Sequence, residues 1–154
     1  MKNILLFLSF LFFLQANGQD EPYLTRKQNL AWVKKLKDLQ LKSEKIDFIK
    51  AKIYSDTLYE KRIILNNSRD PEKRVCKSLF VIIYLNKYYQ IDLHENRNAK
   101  LIMKYISDEN IHEIKILDYP EDVTLFGTEG LCGVITIYSN KRLGRKMKNV
   151  LKHQ

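Results

Sequence analysis

Apolar and polar positions change period along this chain, and each change predicts a different element. Between Tyr23 and about Lys42, apolar side chains stand at Leu24, Leu30, Val33, Leu36 and Leu39. The three-residue steps from Leu30 to Leu39, with lysines between them, describe an amphipathic helix. Thr25 is placed to cap its start, and Trp32 to pack it onto the rest of the domain. The stretch from Ile46 to Asn67 admits two readings. Ile46 and Phe48 flank Asp47, and Ile49, Ala51 and Ile53 then alternate with lysines, which suggests a strand with a phase change. Leu58, Tyr59 and Ile63 to Leu65 could continue as strand or helix. Asn66 to Pro71 is a turn-rich break and marks the boundary to the second half.

The second half is more legible. Leu79 to Leu85 is a β-branched and aromatic run of the kind that forms a buried strand. Ala99 to Ile106 reads as a short helix, and Ile111 to Leu117, with Ile111, Ile114 and Ile116, as a second strand. Pro120 to Phe126 reads as a helical turn, because proline near a helix start forfeits no needed N–H. Gly127, Gly130 and Gly133 then punctuate a tight connection into a third strand, Val134 to Tyr138. The order β-α-β-α-β predicts an α+β fold, a small sheet with a helical layer, preceded by an N-terminal amphipathic helix.

The start of the chain bears on compartment. Lys2 supplies a positive charge, Ile4 to Leu14 is apolar except at Ser9, and Ala16 and Gly18 are small residues ahead of Gln19. This is the layout of a secretory signal peptide; the apolar run is well short of the roughly 20 residues that span a bilayer core. The expected organisation is a signal peptide over 1–18, a helical or mixed element over 19–70, the sheet-bearing domain over 71–141, and a basic tail over 142–154. A hydrophobic content of 45% fits a globular chain.

The net charge is +9; Lys2 supplies one unit, leaving +8 on the remainder. Export argues against a nucleic-acid partner for that charge. The densest cluster, Lys141, Arg142, Arg145, Lys146 and Lys148, reads first as a solvated face, with peripheral contact to an anionic membrane surface as the functional alternative. Cys76 and Cys132 are an even pair in a compartment that permits a disulfide. Bridging needs their Cα atoms within about 7 Å, so sequence leaves bridged and unbridged states open, the unbridged one being the default. Neither cysteine has a second ligand at metal-binding spacing, and no metal or cofactor is expected.

Ile111 to Leu117, followed by Leu125-Phe126-Gly127, Gly130 and Gly133-Val134-Ile135-Thr136-Ile137, resembles the plug domain of TonB-dependent outer-membrane receptors in the form common among Bacteroidota. The three glycines fall on the family's glycines, and Phe126 stands where the family usually has tyrosine. The first strand departs from the pattern, with Asn86-Lys87 where the family often has Asp-Gly. The resemblance spans roughly Leu79 to Lys141 and implies a plug-like fold and an envelope location, periplasmic or outer-membrane associated. A receptor's barrel is not expected from the few residues after the last strand, nor is an energy-coupling segment, so receptor transport is not implied.

No catalytic constellation is expected. A Cys132–His112 pair is conceivable, but no third group orients it; His112 reads as a half-exposed strand residue and Cys132 as a small apolar filler. His94 falls in a polar loop, and Asp118, Glu121 and Asp122 read as a solvated acidic turn. The expected function is therefore non-enzymatic: a ligand- or protein-binding module of the envelope, partnered by an outer-membrane receptor or another envelope protein. The alternative is a structural or vestigial plug-like domain serving a separately encoded barrel.

Overall fold

A computed structural model of the chain describes residues 25–58, 63–64, 75–118 and 120–151. The signal-peptide reading of 1–18 and the turn-rich break Asn66 to Pro71 lie outside the described residues. The first helix, α1, is Arg26–Asp38. Thr25 caps it: its Oγ1 accepts from Gln28 N at 3.3 Å, and Gln28 Oε1 accepts from Thr25 N at 2.7 Å. This reciprocal box satisfies amides that have no intrahelical acceptor. The buried face runs through Asn29, Val33 and Leu36, while Leu30 lies at the exposed edge. The apolar stripe is thus turned slightly from the predicted one, with a polar residue, Asn29, at its head.

Helix α2 is Lys42–Ser55, which corrects the reading of this region as a strand with a phase change. The alternation at Ile46, Phe48, Ile49, Ala51 and Ile53 contains a helical subset. Ile46, Ile49 and Ile53 recur at steps of three and four and are all buried, whereas Ala51 faces outward. Phe48 sits beside that face and stacks on Trp32, with ring centroids 5.2 Å apart and planes 8° apart. Trp32 in turn meets Phe80 edge-on at 6.0 Å. Trp32 packs α1 onto the domain as the sequence predicts, and it does so between a helix and the sheet.

After α2 come a short antiparallel ladder, β1 (Ile63–Ile64) with β2 (Val75–Cys76), and then the main sheet. Its strands are β3 (Leu79–Tyr84), β4 (Lys87–Gln90), β5 (Ile111–Leu117) and β6 (Val134–Ser139). The spatial order is β4-β3-β6-β5, with β3 and β6 parallel and both outer pairings antiparallel. Strand β4 was not expected. It pairs with β3 through a two-residue turn in which Leu85 and Asn86 both have positive φ, 48° and 59°. That is the backbone hand that matches strand twist, here without a glycine. A short helix, α3 (Lys100–Met103), precedes β5, and α4 (Glu121–Phe126) follows it. The fold class is α+β, as the pattern predicts.

One sheet face carries Phe80, Ile82, Ile135 and Ile137 into a core shared with α1, α2, α3 and the last helix. The N-terminal helices therefore contribute to the same core as the sheet. The other face, with Leu79, Val81 and Val134, packs against Leu117 and Phe126.

Lys141–Leu151 forms a helix, α5, where its charge suggested a tail. Asn140 Oδ1 accepts from Arg142 N at 3.0 Å and Leu143 N at 3.1 Å, which is an N-cap. Leu143 and Met147 are fully buried, and a Cβ at Gly144 would overlap the Tyr84 ring. The helix is amphipathic: its lysines and arginines face out because four-residue steps place Leu143 and Met147 inward.

Candidate functional site

The glycine-bearing connection is a rigid, cross-braced segment. Gly127 ends α4 with φ 59°, residues Gly127–Cys132 form a 3-10 helix, and Gly133 leads into β6 with φ 92°. Gly130 answers a close approach rather than a backbone angle: a Cβ there would collide with the Asp122 carbonyl. At Gly133 the positive φ is joined by crowding, since a Cβ would lie 2.7 Å from Val33 Cγ2 of α1. Gly130 and Gly133 are therefore set by packing against α4 and α1, and Gly127 by its backbone angle.

Cys132, at the end of this segment, is bonded to Cys76 of β2, with Cα atoms 6.0 Å apart. The sequence left this pairing open, and the fold decides it: Cys76 is brought beside the glycine segment by the β2–β3 connection. Closing a loop of 56 residues' separation is worth about 4 kcal/mol in chain-entropy terms. Both partners are buried. With Cys132 Sγ in the disulfide, a Cys132–His112 pair has no thiol, and His112 itself is exposed on β5. Cys132 is thus a crosslink rather than a filler.

Buried polar contacts reinforce the clamp. Asn29 Nδ2 donates to Cys76 O at 2.6 Å, and Ser78 Oγ lies 3.0 Å from Cys132 O and 3.3 Å from Asn29 Oδ1. Arg26 Nε donates to Leu131 O at 2.9 Å. Asn29 and Ser78 are almost fully buried, so each contact also spares a desolvated group. The composition of α1 carried the signal: an asparagine on the buried face of a helix needs partners.

Beside this braced segment lies an open depression of about 480 Å³, lined by Asp118, Pro120, Glu121, Thr124 and Leu125. Leu125 is 64% exposed at its rim, and Asp118 pairs with Lys37 of α1. Asp118 and Glu121 are solvated, as expected for an acidic turn. Asp122 is not: it is buried under Gly130, and its Oδ1 accepts from Val123 N at 2.7 Å.

A second polar cluster was not singled out from sequence. Lys52 and Asp56 form a buried ion pair at 2.7 Å, and Lys77 and Asp92 another at 3.2 Å. Asp92 Oδ1 also accepts from His94 N at 2.9 Å. Asp56, Lys77 and Asp92 line a small hollow of about 10 Å³, at the lower limit of the room one water needs. Burial pushes the Asp56 carboxyl up, against the lowering pull of Lys52 and Lys77. The signal was present in the Ile46-Ile49-Ile53 face, where Lys52 lies beside Ile53 and four residues before Asp56. Among the described residues, no group of three His, Cys, Asp or Glu side chains is placed to hold a metal ion, and no helix is long and apolar enough to cross a membrane.

The chain matches no family model, no curated protein and no solved structure.

Proposed function

We propose that this protein is an exported binding module of the bacterial envelope, built on a plug-like sheet and engaging a protein partner, with an outer-membrane receptor the first candidate. The observation that carries the reading is the Cys76–Cys132 disulfide clamped onto the Gly127–Gly133 segment. Disulfides persist in oxidising compartments outside the cytoplasm, in keeping with the signal-peptide pattern of the first residues. The clamp also falls on the segment whose glycines carry the resemblance to receptor plugs. A braced scaffold beside an open depression suits recognition, because a pre-organised surface loses little entropy on binding.

The reading assigns the depression at Asp118, Glu121, Thr124 and Leu125 as the contact face. A photo-crosslinking residue placed at Thr124 in the producing cell tests it. An adduct with an outer-membrane protein, absent when the same residue replaces the exposed Ala51 of α2, is the expected result. Equal crosslinking from the two positions, or none from either, would sink the reading.

A further inference from the structure

The geometry points to a second surface: the outward face of α5, together with Lys104, as a docking site for an anionic phospholipid membrane. Helix α5 carries Lys141, Arg142, Arg145, Lys146 and Lys148 and no acidic residue. Leu143 and Met147 are fully buried in the core, so the face left to solvent is cationic from end to end. Among the described residues, the acidic neighbour paired with it is Glu109, which meets Arg142 at 4.0 Å.

A contact between helices sharpens the case. Lys104, just beyond α3, and Lys146 of α5 both place their ammonium groups 5.3 Å from the centre of the Tyr105 ring. The two cations therefore lie no farther apart than twice that distance. Each gains from the ring's quadrupole, yet the pair is mutually repulsive, and a phosphate between them would relieve that repulsion. The same arrangement disfavours single-stranded nucleic acid, which binds by stacking bases on open aromatic faces; here Tyr105 is occupied by ammonium groups.

The buried stripe also sets the mode of contact. A helix that inserts into a bilayer offers its apolar face, and α5 has committed that face to the core. Docking is then electrostatic, with each Lys or Arg near an anionic bilayer contributing about fivefold to partitioning. It should weaken steeply with salt, since screening shortens from about 10 Å at 0.1 M to about 3 Å at 1 M.

Co-sedimentation of the exported protein with vesicles tests this. Binding to vesicles containing phosphatidylglycerol, little binding to pure phosphatidylcholine, and release at 1 M salt are expected. The double variant Arg145→Gln, Lys148→Gln should lose about 25-fold in affinity while keeping its circular dichroism melt. The charge-preserving variant Arg145→Lys, Lys148→Arg should bind like the parent. Equal binding to both vesicle types, undiminished binding of the folded Gln variant, or tighter binding to a single-stranded oligonucleotide than to the anionic vesicles would overturn the proposal.

Discussion

Lys52 and Asp56 form an ion pair one helical turn apart, 2.7 Å between Nζ and Oδ1, with both side chains more than nine-tenths buried. The other carboxylate oxygen, Asp56 Oδ2, is buried and has no hydrogen-bond partner among the described residues. Desolvation therefore dominates, and the carboxyl titrates above its ordinary value of 3.8. Between 3.8 and the raised folded-state value, the folded chain binds more protons at this site than the unfolded chain, so its contribution to stability falls as pH rises through that window. The stability difference between the parent and Asp56→Asn, measured by urea unfolding, should move in the parent's favour as pH falls towards 3.8. A shift towards the variant would contradict the assignment.

Removing one partner of the pair is a different perturbation. Lys52→Met leaves the Asp56 carboxylate buried beside fewer cations and should cost about 3–5 kcal/mol. The double change Lys52→Met, Asp56→Leu should recover most of that loss, because no buried charge is stranded. Denaturant midpoints at neutral pH decide it: a double variant as unstable as Lys52→Met would argue against a desolvation cost.

Gly130 and Gly127 should both resist alanine, for different reasons. At Gly130 the added methyl meets the Asp122 carbonyl, a backbone atom that cannot swing aside, and the overpacking cost is about 1–3 kcal/mol. At Gly127 there is open space, but φ 59° with ψ −141° is a backbone region that L residues rarely adopt, a cost of about 1–3 kcal/mol. Thermal melts should show both variants destabilised, and a Gly130→Ala melt equal to the parent's would remove the close-approach argument.

Leu85 holds a positive φ of 48° while 74% exposed, so it gains little burial in return for a conformation that branched side chains disfavour. Leu85→Asn should stabilise the protein by about 0.5–1 kcal/mol, since asparagine adopts this region readily and favours such hairpin turns. An unchanged or lowered melting temperature would show that the β3–β4 turn is not strained as described.

The parts of the fold legible in the sequence were those where one period ran unopposed. Ile111 to Leu117 and Val134 to Tyr138 pair as β5 and β6, and Thr25 caps α1 as its position suggested. Helix α2 was obscured because Ile46, Phe48, Ile49, Ala51 and Ile53 satisfy two periods at once, and only the core that receives Ile49 and Ile53 chooses between them. Helix α5 was obscured by its charge, although Asn140 followed by Leu143, Met147 and Val150 is a capped helical spacing. In the candidate site, the glycines marked the segment. Its clamp depended on Cys76 approaching Cys132 across the fold, and the buried Lys52–Asp56 and Lys77–Asp92 pairs depended on tertiary neighbours. Local pattern carries neither.

The central claim is that the chain works outside the cytoplasm as a disulfide-clamped module, and its redox state in the producing cell tests this most directly. Envelope and cytosolic fractions would be alkylated without reduction and digested, and the Cys76 and Cys132 peptides followed by mass spectrometry. The account predicts a Cys76–Cys132 linked peptide in the envelope fraction from a chain beginning near Gln19. Two alkylated cysteines on a chain that keeps residues 1–18 in the cytosol would contradict it.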